Sequence, residues 1–290
     1  MSRPVLTCVV TTYRSPAALR LCLHALAADV ARSGKAVELI VGDDGDPEHL
    51  SRGPTAEAAG WGAFTAVRRF SQRHDGYGKC RLGNKAAAAA QADLLLYLDG
   101  DCLVSPGTIA THLSLSRPRR YVAGSALRLG RLASAALDVK AVRAFRHASP
   151  LWISTQALAG EVESKAHYPL LRGLGRMLRR TGSGGFNGGC SSVPKALLQE
   201  VNGWDESLPG YGFDDTDLGH RLQNAGAEPV AARHEALVVH LWHERPYCGD
   251  QQALEAKRKL VAATLNGSHT RAARGLHELG PDDAPVWDRV

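Results

Sequence analysis

The chain has 290 residues, 44% hydrophobic and 22% charged, which is ordinary for a globular protein of one or two domains. No apolar run approaches the roughly 18 residues of a membrane-spanning helix, and the N-terminus passes into a predicted strand without a signal-peptide region. The six cysteines show neither a CxxC pair nor disulfide-framework spacing, so we expect reduced thiols and a cytoplasmic protein.

The net charge of +6 is concentrated in one stretch. Residues 117–182 hold thirteen Lys and Arg against three acidic residues, a net charge of +10, so the remainder sums to −4. Such a stretch can attract phosphates, nucleic acid or an anionic membrane, although a solvated helical face is a simpler explanation. It is a candidate for peripheral contact with the inner membrane face, whereas nucleic acid is not an expected partner because the remainder is mildly acidic.

The first half of the chain alternates segments with the patterns of strands and helices. Strands are predicted at residues 5–11, 37–41, 64–67 and 94–98, and helices at residues 17–28 and 84–92. Ser15 as the N-cap and Pro16 as the first helical residue indicate where the first helix begins. This alternation is typical of βαβ units, so we predict an α/β fold: a mostly parallel central sheet flanked by helices in a single large domain.

The fourth predicted strand stops at Asp99, Gly100 and Asp101. Its unbroken apolar run indicates a buried strand. Ligands of open α/β sheets bind beyond the carboxyl ends of the strands, and carboxylates there suit Mg²⁺ or Mn²⁺ together with substrate phosphates. A plain Asp-Gly turn is the alternative. Because two earlier strands also end in polar residues, a shared nucleotide and metal crevice is favoured.

In the second half the pattern is weaker as far as residue 181. A strand is predicted at residues 119–124 and helices at residues 132–145 and 168–180, followed by a glycine-rich turn at residues 182–189. Beyond it we predict helices at residues 194–201, 214–225 and 250–263, a strand at residues 236–239 and a loosely ordered Pro- and Asp-rich tail. Asp214, Asp215 and Asp217 open one of these helices, where acidic residues complement the helix dipole, so capping alone would explain them.

Six segments, taken in order, resemble nucleotide-sugar glycosyltransferases of the GT-A (Rossmann-like) fold. They are TTYRSP, VGDDGD, LDGD, FNGGCSSVPKALLQEVNGWDE, GYGFDDTDLGHRL and VVHLWHE. The resemblance covers roughly residues 4 to 245 and is greatest to the family-2 group and the carboxyl-terminal module of galactosyltransferases. Asp-x-Asp alone is a weak signal. Its position about 85 residues before Phe-Asn-Gly-Gly, with Gly-Trp-Asp-Glu and an acidic helix start beyond, is specific.

The resemblance implies a donor site, an acceptor site and a base. The implied donor-binding residues are Thr11, Thr12, Tyr13, Asp44, Lys79, Arg81, Asp99 and Gly100, and the implied acceptor-binding residues are Asn187, Gly188, Trp204 and Asp214. Asp215 matches the catalytic base. This chain departs from many relatives in having Gly83 where they have Arg, and Asp214 where they have Glu.

The resemblance also implies a metal site for Mn²⁺ or Mg²⁺. Asp101 matches the main ligand, Asp99 assists it, and His240 completes the site. His243 is the alternative ligand, because His-x-x-His leaves either ring close to the crevice. Imidazole favours Mn²⁺ as the ion.

These assignments predict an inverting, metal-dependent glycosyltransferase of the hexosyltransferase type. Its donor would be a nucleoside-diphosphate sugar, with UDP favoured, and its acceptor a hydroxyl of a small molecule, a glycan or a lipid-linked compound. The alternatives are an inactive sugar-nucleotide or carbohydrate-binding protein of the same fold, and a nucleotidyltransferase. The latter would want an early glycine-rich phosphate loop, which residues 11–16 lack. We divide the chain into a donor half (1–116), a basic connecting region (117–182), an acceptor and catalytic half (183–250) and a C-terminal helix and tail (251–290).

Overall fold

A computed structural model of the chain describes residues 3–45, 61–163, 165–182, 184–244 and 251–280. The last residue of the VGDDGD segment, Asp46, and the tail expected to be loosely ordered at residues 281–290 lie outside the described residues.

A mixed eight-stranded sheet organises the fold in the order β3-β2-β1-β4-β9-β6-β10-β8, beside a small sheet in the order β5-β11-β7. The strands are β1 (Leu6–Thr12), β2 (Val37–Asp43), β3 (Ala66–Ser71), β4 (Leu94–Asp99), β5 (Cys102–Val104), β6 (Arg120–Ala123), β7 (Ser125–Arg128), β8 (Arg180–Thr181), β9 (Ser191–Pro194), β10 (Glu228–Ala231) and β11 (Leu237–His240). The strands β3, β2, β1 and β4 are parallel, whereas β9 runs antiparallel to both of its neighbours. The predicted α/β class and single domain are confirmed.

Helices cover the sheet. They are α1 (Pro16–Ser33), α2 (Lys79–Ala89), α3 (Thr108–Leu115), α4 (Arg131–Ala135), α5 (Val139–Arg143), α6 (Pro150–Leu158), α7 (Gly175–Leu178), α8 (Lys195–Glu200), α9 (Asp214–Asn224), α10 (Gln251–Leu260) and α11 (Ala262–Leu265). Pro16 is the first residue of α1, as predicted, although the Ser15 side chain makes no capping hydrogen bond. None of the helices in the described ranges has the length and apolar character needed to span a bilayer.

Two apolar cores lie on opposite faces of the large sheet, because successive side chains of a strand point to opposite faces. In β4, Leu96 and Leu98 belong to the core that contains α1, whereas Leu95 and Tyr97 belong to the core that contains α2 and α9. Leu96 is fully buried, so its truncation to alanine would cost about 2–5 kcal/mol. The five cysteines in the described part of the chain are free and buried.

Two helix predictions in the basic region are wrong. The helix expected at 132–145 is broken into α4 and α5, because Asp138 caps the second: its Oδ1 accepts the Ala141 N–H at 2.7 Å. The helix expected at 168–180 is a series of turns, a 3₁₀ turn (Arg172–Leu174) and the single-turn α7. One proline and two glycines in this stretch disfavour a continuous helix. The third strand also begins later than predicted, at Ala66.

Candidate active site

Three strand ends meet at one edge of the large sheet. The Gly100 N–H donates to the Thr11 carbonyl at 2.8 Å, and the Asp44 N–H donates to the Thr12 carbonyl at 2.9 Å. A side chain at position 100 would begin 3.0 Å from Thr12 Cβ, so the glycine permits this close approach. Four of the predicted donor-site residues are therefore neighbours.

Asp44 organises the loop that leads into α2. Its Oδ1 accepts from Gln72 Nε2 at 2.8 Å, and its Oδ2 accepts the Gly78 N–H at 2.8 Å and lies 3.3 Å from His74 Nδ1. The His74 ring stacks on Tyr13 with centroids 4.4 Å apart, which leaves a flat, half-exposed aromatic surface at the edge of the site. Gln72 and His74 were not among the predicted residues.

Lys79, Asp99 and Asp215 form what we call the lysine-centred group. Lys79 is the first residue of α2, and its Nζ lies 2.7 Å from Asp99 Oδ1 and 4.0 Å from Asp215 Oδ1. Burial lowers the pKa of Lys79, but the two carboxylates outweigh it and hold that pKa well above its usual range. The charged Lys79 ammonium therefore lies between two carboxyl groups.

Asp215 has the environment of a general base. Burial raises its pKa to about 7 against the opposing effect of Lys79; Asp214 and Asp99 raise it too, while the Gly188 N–H lowers it. Its Oδ1 is buried and lacks a hydrogen-bond partner among the described residues, although about a third of the side-chain surface is exposed. A carboxyl with a pKa near neutrality is well suited to taking up a proton.

Two glycines let the wall of the site approach these carboxylates. A Cβ at position 188 would lie 2.6 Å from Asp215 Oδ1 and 2.9 Å from Lys79 Nζ, and one at position 189 would lie 3.1 Å from Asp99 Oδ2. Asn187 fixes this turn, since its Oδ1 accepts the Gly189 N–H at 2.9 Å. The predicted acceptor wall thus lies against the predicted base.

Trp204 and Asp214, also predicted to bind the acceptor, stand behind this wall. Trp204 is only 1% exposed. Its backbone N–H donates to Asn84 Oδ1, and its backbone carbonyl accepts from Asn84 Nδ2. A Cβ at Gly83 would lie 2.8 Å from Trp204 Nε1, so the glycine found in place of arginine gives the indole its room. Asp214 is buried and accepts a hydrogen bond from the Tyr77 hydroxyl at 3.1 Å.

Asp101, His240 and His243 form the histidine-centred group. Asp101 Oδ1 lies 3.6 Å from His240 Nε2, and Asp101 Oδ2 lies 3.3 Å from His243 Nε2. The small sheet creates this group, because β11 pairs His240 with Cys102 and the Leu241 N–H donates to the Asp101 carbonyl. Both predicted histidines therefore reach the predicted metal ligand.

The histidine-centred group fits a divalent cation. Ligand atoms of Asp101, Cys102 and His240 lie within 4.8 Å of one another. In the described part of the chain, Asp101 Oδ1 and His240 Nδ1 are buried without hydrogen-bond partners, and such atoms are costly unless something satisfies them. Carboxylate oxygen with imidazole nitrogen suits Mn²⁺. Cys102 was not predicted, since a buried cysteine in a strand gives no signal in the sequence.

Two further site predictions concern Arg81 and Asp99. Arg81 lies exposed in the first turn of α2, two residues beyond Lys79, and its role at the diphosphate stays a prediction. Asp99, predicted to assist the metal, contacts Lys79 instead of the histidines. The two groups nevertheless lie side by side, because a Cβ at Gly189 would lie 3.1 Å from Asp99 Oδ2 and 3.4 Å from the Sγ of Cys102, the residue after Asp101.

Comparison with known proteins relates this geometry to glycosyltransferases. The model of the family described as "Glycosyltransferase like family 2" matches residues 4–264. No curated protein matches the chain at a significant level.

Solved structures share the fold. The mannosyltransferase PcManGT from Pyrobaculum calidifontis, in complex with GDP-Man and Mn²⁺, aligns with a TM-score of 0.54 and 17% identity over 91% of this chain and 63% of its own. GalNAc-T7 with UDP, GalNAc and Mn²⁺ aligns with a TM-score of 0.59 and 15% identity over 91% of this chain and 48% of its own. S. aureus TarS with UDP-GlcNAc aligns with a TM-score of 0.59 and 11% identity over 90% of this chain and 66% of its own. The chain thus spans about half to two thirds of those chains. The predicted GT-A fold is confirmed, whereas the galactosyltransferase-type module stays a prediction.

Proposed function

The chain belongs to the glycosyltransferase like family 2, and we propose that it is an inverting glycosyltransferase that uses a divalent metal and a nucleoside-diphosphate sugar. The observation that carries the proposal is the proximity of Asp215, the Lys79–Asp99 pair and the Asp101–His240 pair at one edge of the large sheet, around Gly188 and Gly189. An inactive binding protein of this fold would have no need of a carboxyl with a pKa near 7 beside a glycine wall.

In the proposed transfer step, Asp215 acts as the general base. The acceptor hydroxyl oxygen forms a bond to the anomeric carbon as the bond from that carbon to the diphosphate oxygen breaks, and the nucleoside diphosphate leaves with the electron pair. Asp215 takes the hydroxyl proton, and attack opposite to the leaving group inverts the anomeric centre. General-base help of this kind contributes about 10²–10⁴-fold. Lys79, held between Asp99 and Asp215, places fixed positive charge beside the reacting groups.

Asp101 and His240 would hold the cation, with His243 beside them. A bound Mn²⁺ or Mg²⁺ supplies Lewis-acid neutralisation of the charge that develops on the leaving diphosphate. The imidazole favours Mn²⁺ of the two. Asp99, whose contact in this structure is Lys79, would assist at the ribose.

The donor proposed is a UDP-sugar carrying a hexosyl group. The Tyr13–His74 stack lies directly beside Asp44 and offers an aromatic face for the base. The structural neighbours were solved with GDP-Man, UDP or UDP-GlcNAc, so the nucleotide has to be tested. The acceptor proposed is a hydroxyl of a small molecule, a glycan or a lipid-linked compound, received against Asn187 and Gly188.

The test is a panel of UDP-, GDP- and dTDP-sugars with and without Mn²⁺, followed by nucleotide release and by thermal shift. We expect metal-dependent stabilisation by one donor. Asp215→Asn should keep this stabilisation but lose transfer by about 10²-fold or more. Asp93→Asn is the matched control, because the same chemical change falls on an exposed Asp93–Arg3 surface pair. Normal transfer by Asp215→Asn would contradict the base assignment.

A further inference from the structure

The stretch at residues 165–180, which we call the basic apolar segment, exposes large apolar side chains to water. Leu170, Leu174, Met177 and Leu178 are all exposed, Leu170 at 60% and Met177 at 82% of their surface. Four such side chains within nine residues form a local apolar patch. Folded proteins in water seldom leave such patches uncovered unless they serve to bind something.

The same segment is purely cationic. It carries Lys165, Arg172, Arg176, Arg179 and Arg180, and the sequence has no acidic residue from position 164 to position 199. Arg179 is neutralised by Glu235, at 2.7 and 2.9 Å, and Arg172 is partly buried. Lys165 and Arg180 are also exposed.

The charge and the exposed leucines together select among partners. Nucleic acid would complement the cations but would gain little from leucine side chains. A second copy of this chain would bring like charges into contact. An anionic lipid bilayer complements both, because headgroups attract the cations while apolar side chains enter the boundary of the acyl region.

The segment is firmly attached to the body of the protein. Glu235 holds Arg179 with two hydrogen bonds, the Tyr168 ring packs on His234 with centroids 4.4 Å apart, and Arg180 pairs with Ala231 in the large sheet. Docking through the segment would therefore orient the whole domain on the surface it binds.

We propose that the basic apolar segment docks this protein peripherally on anionic phospholipid bilayers, with Leu170, Leu174, Met177 and Leu178 inserted among the headgroups. The peripheral membrane contact that was expected for residues 117–182 is thereby assigned to residues 165–180. The proposal is independent of the transferase activity, since binding needs neither donor nor acceptor.

The experiment is cosedimentation of the full chain with vesicles of phosphatidylcholine, with and without phosphatidylglycerol. We expect binding only to the phosphatidylglycerol vesicles and weaker binding as salt rises. Leu170→Glu should lower the partition coefficient at least about 10-fold, and Arg180→Gln about 5-fold. Leu260→Glu is the matched control, since Leu260 is 59% exposed on α10 and this variant should bind nearly as the unmodified chain does.

Several outcomes would overturn the proposal. They are equal binding to neutral and anionic vesicles, no binding to either, and an equal loss in Leu170→Glu and Leu260→Glu. Dimers that Leu170→Glu dissociates, or binding to RNA without binding to vesicles, would assign the segment to another partner and also count against it. Circular dichroism and thermal melting of each variant separate these results from misfolding.

Discussion

Asp99 and Asp101 are two residues apart at the end of the same strand, yet they belong to different chemical groups. Asp99 contacts the ammonium of Lys79 and, through it, lies near Asp215. Asp101 contacts the rings of His240 and His243 and keeps one buried oxygen without a hydrogen-bond partner in the described ranges. The comparison shows that the motif is not a pair of equivalent ligands, because partners brought by other elements give each carboxylate its own environment.

The largest effect that separates the two groups should come from their carboxylates. Asp101→Asn should lower metal-dependent transfer on the order of 10³-fold, because it removes the oxygen on which the cation site depends. Asp99→Asn should lower transfer less and leave Mn²⁺ affinity nearly unchanged, since Lys79 is its partner. Nucleotide release and calorimetric titration with Mn²⁺ measure the two quantities. Equal losses of Mn²⁺ affinity would show that the carboxylates act as one unit.

Removing the ammonium should alter the lysine-centred group alone. Lys79→Met should lower transfer about 10²-fold, comparable to the loss of one preorganised charge contact. It should also raise the pKa of Asp215 further, because Lys79 is the neighbour that lowers this pKa most. The acid limb of the plot of kcat/KM against pH would therefore move to higher pH. Lys79→Arg keeps the charge and is the control; an unmoved limb in Lys79→Met would refute the coupling.

The pH dependence of stability offers a test of the same group without substrate. The raised pKa of Asp215, about 7 against about 3.9 in an unfolded chain, means that the folded protein binds this proton more tightly. Its contribution is therefore present below pH 4 and is lost as the pH rises through 7. Asp215→Asn should consequently raise the Tm at pH 8 relative to the unmodified protein, with a much smaller difference at pH 4. Thermal melts without added metal test this, and a difference independent of pH would contradict it.

The smallest effect should distinguish the two histidines. His240 is held in β11 and is 13% exposed, whereas His243 lies beyond the strand end and is 32% exposed. We expect His240→Gln to weaken Mn²⁺ binding about 10–100-fold, and His243→Gln less than that. Calorimetric titration compares them directly. The reverse order would make His243 the ligand and His240 its support.

Sequence patterns predicted the ends of β1, β2 and β4 to within two residues, because buried strands are apolar runs that stop at polar residues. The strand that ends at Asp99, the turn at Asn187 and the acidic start of α9 were all located from local signals of this kind. Such signals do not specify which side chains pair across the fold. The Lys79–Asp99 contact and the seat of Trp204 on Asn84 depend on how α2 packs against the sheet.

Residues 168–180 were mispredicted for a different reason. Leu170, Leu174, Met177 and Leu178 have the spacing of one helix face, but Gly173 and Gly175 weaken a helix. A helix face of this kind would be expected to pack on the core, whereas these side chains are exposed. The apolar periodicity of this stretch therefore indicated side chains that face solvent, and not a helix face that packs on the core.

The reversed direction of β9 has a consequence for redesign of this protein. Because β9 pairs antiparallel with β4, with Tyr97 opposite Ser191, the loop that enters β9 reaches the same edge as the residues that leave β4. Backbone hydrogen bonds of that pair, and not the long excursion between the two strands, set the separation of Asp99 and Gly189. Loops of the intervening chain outside β5, β6 and β7 could then be shortened, extended or exchanged to recruit new acceptors while the spacing of the reacting groups stayed constant.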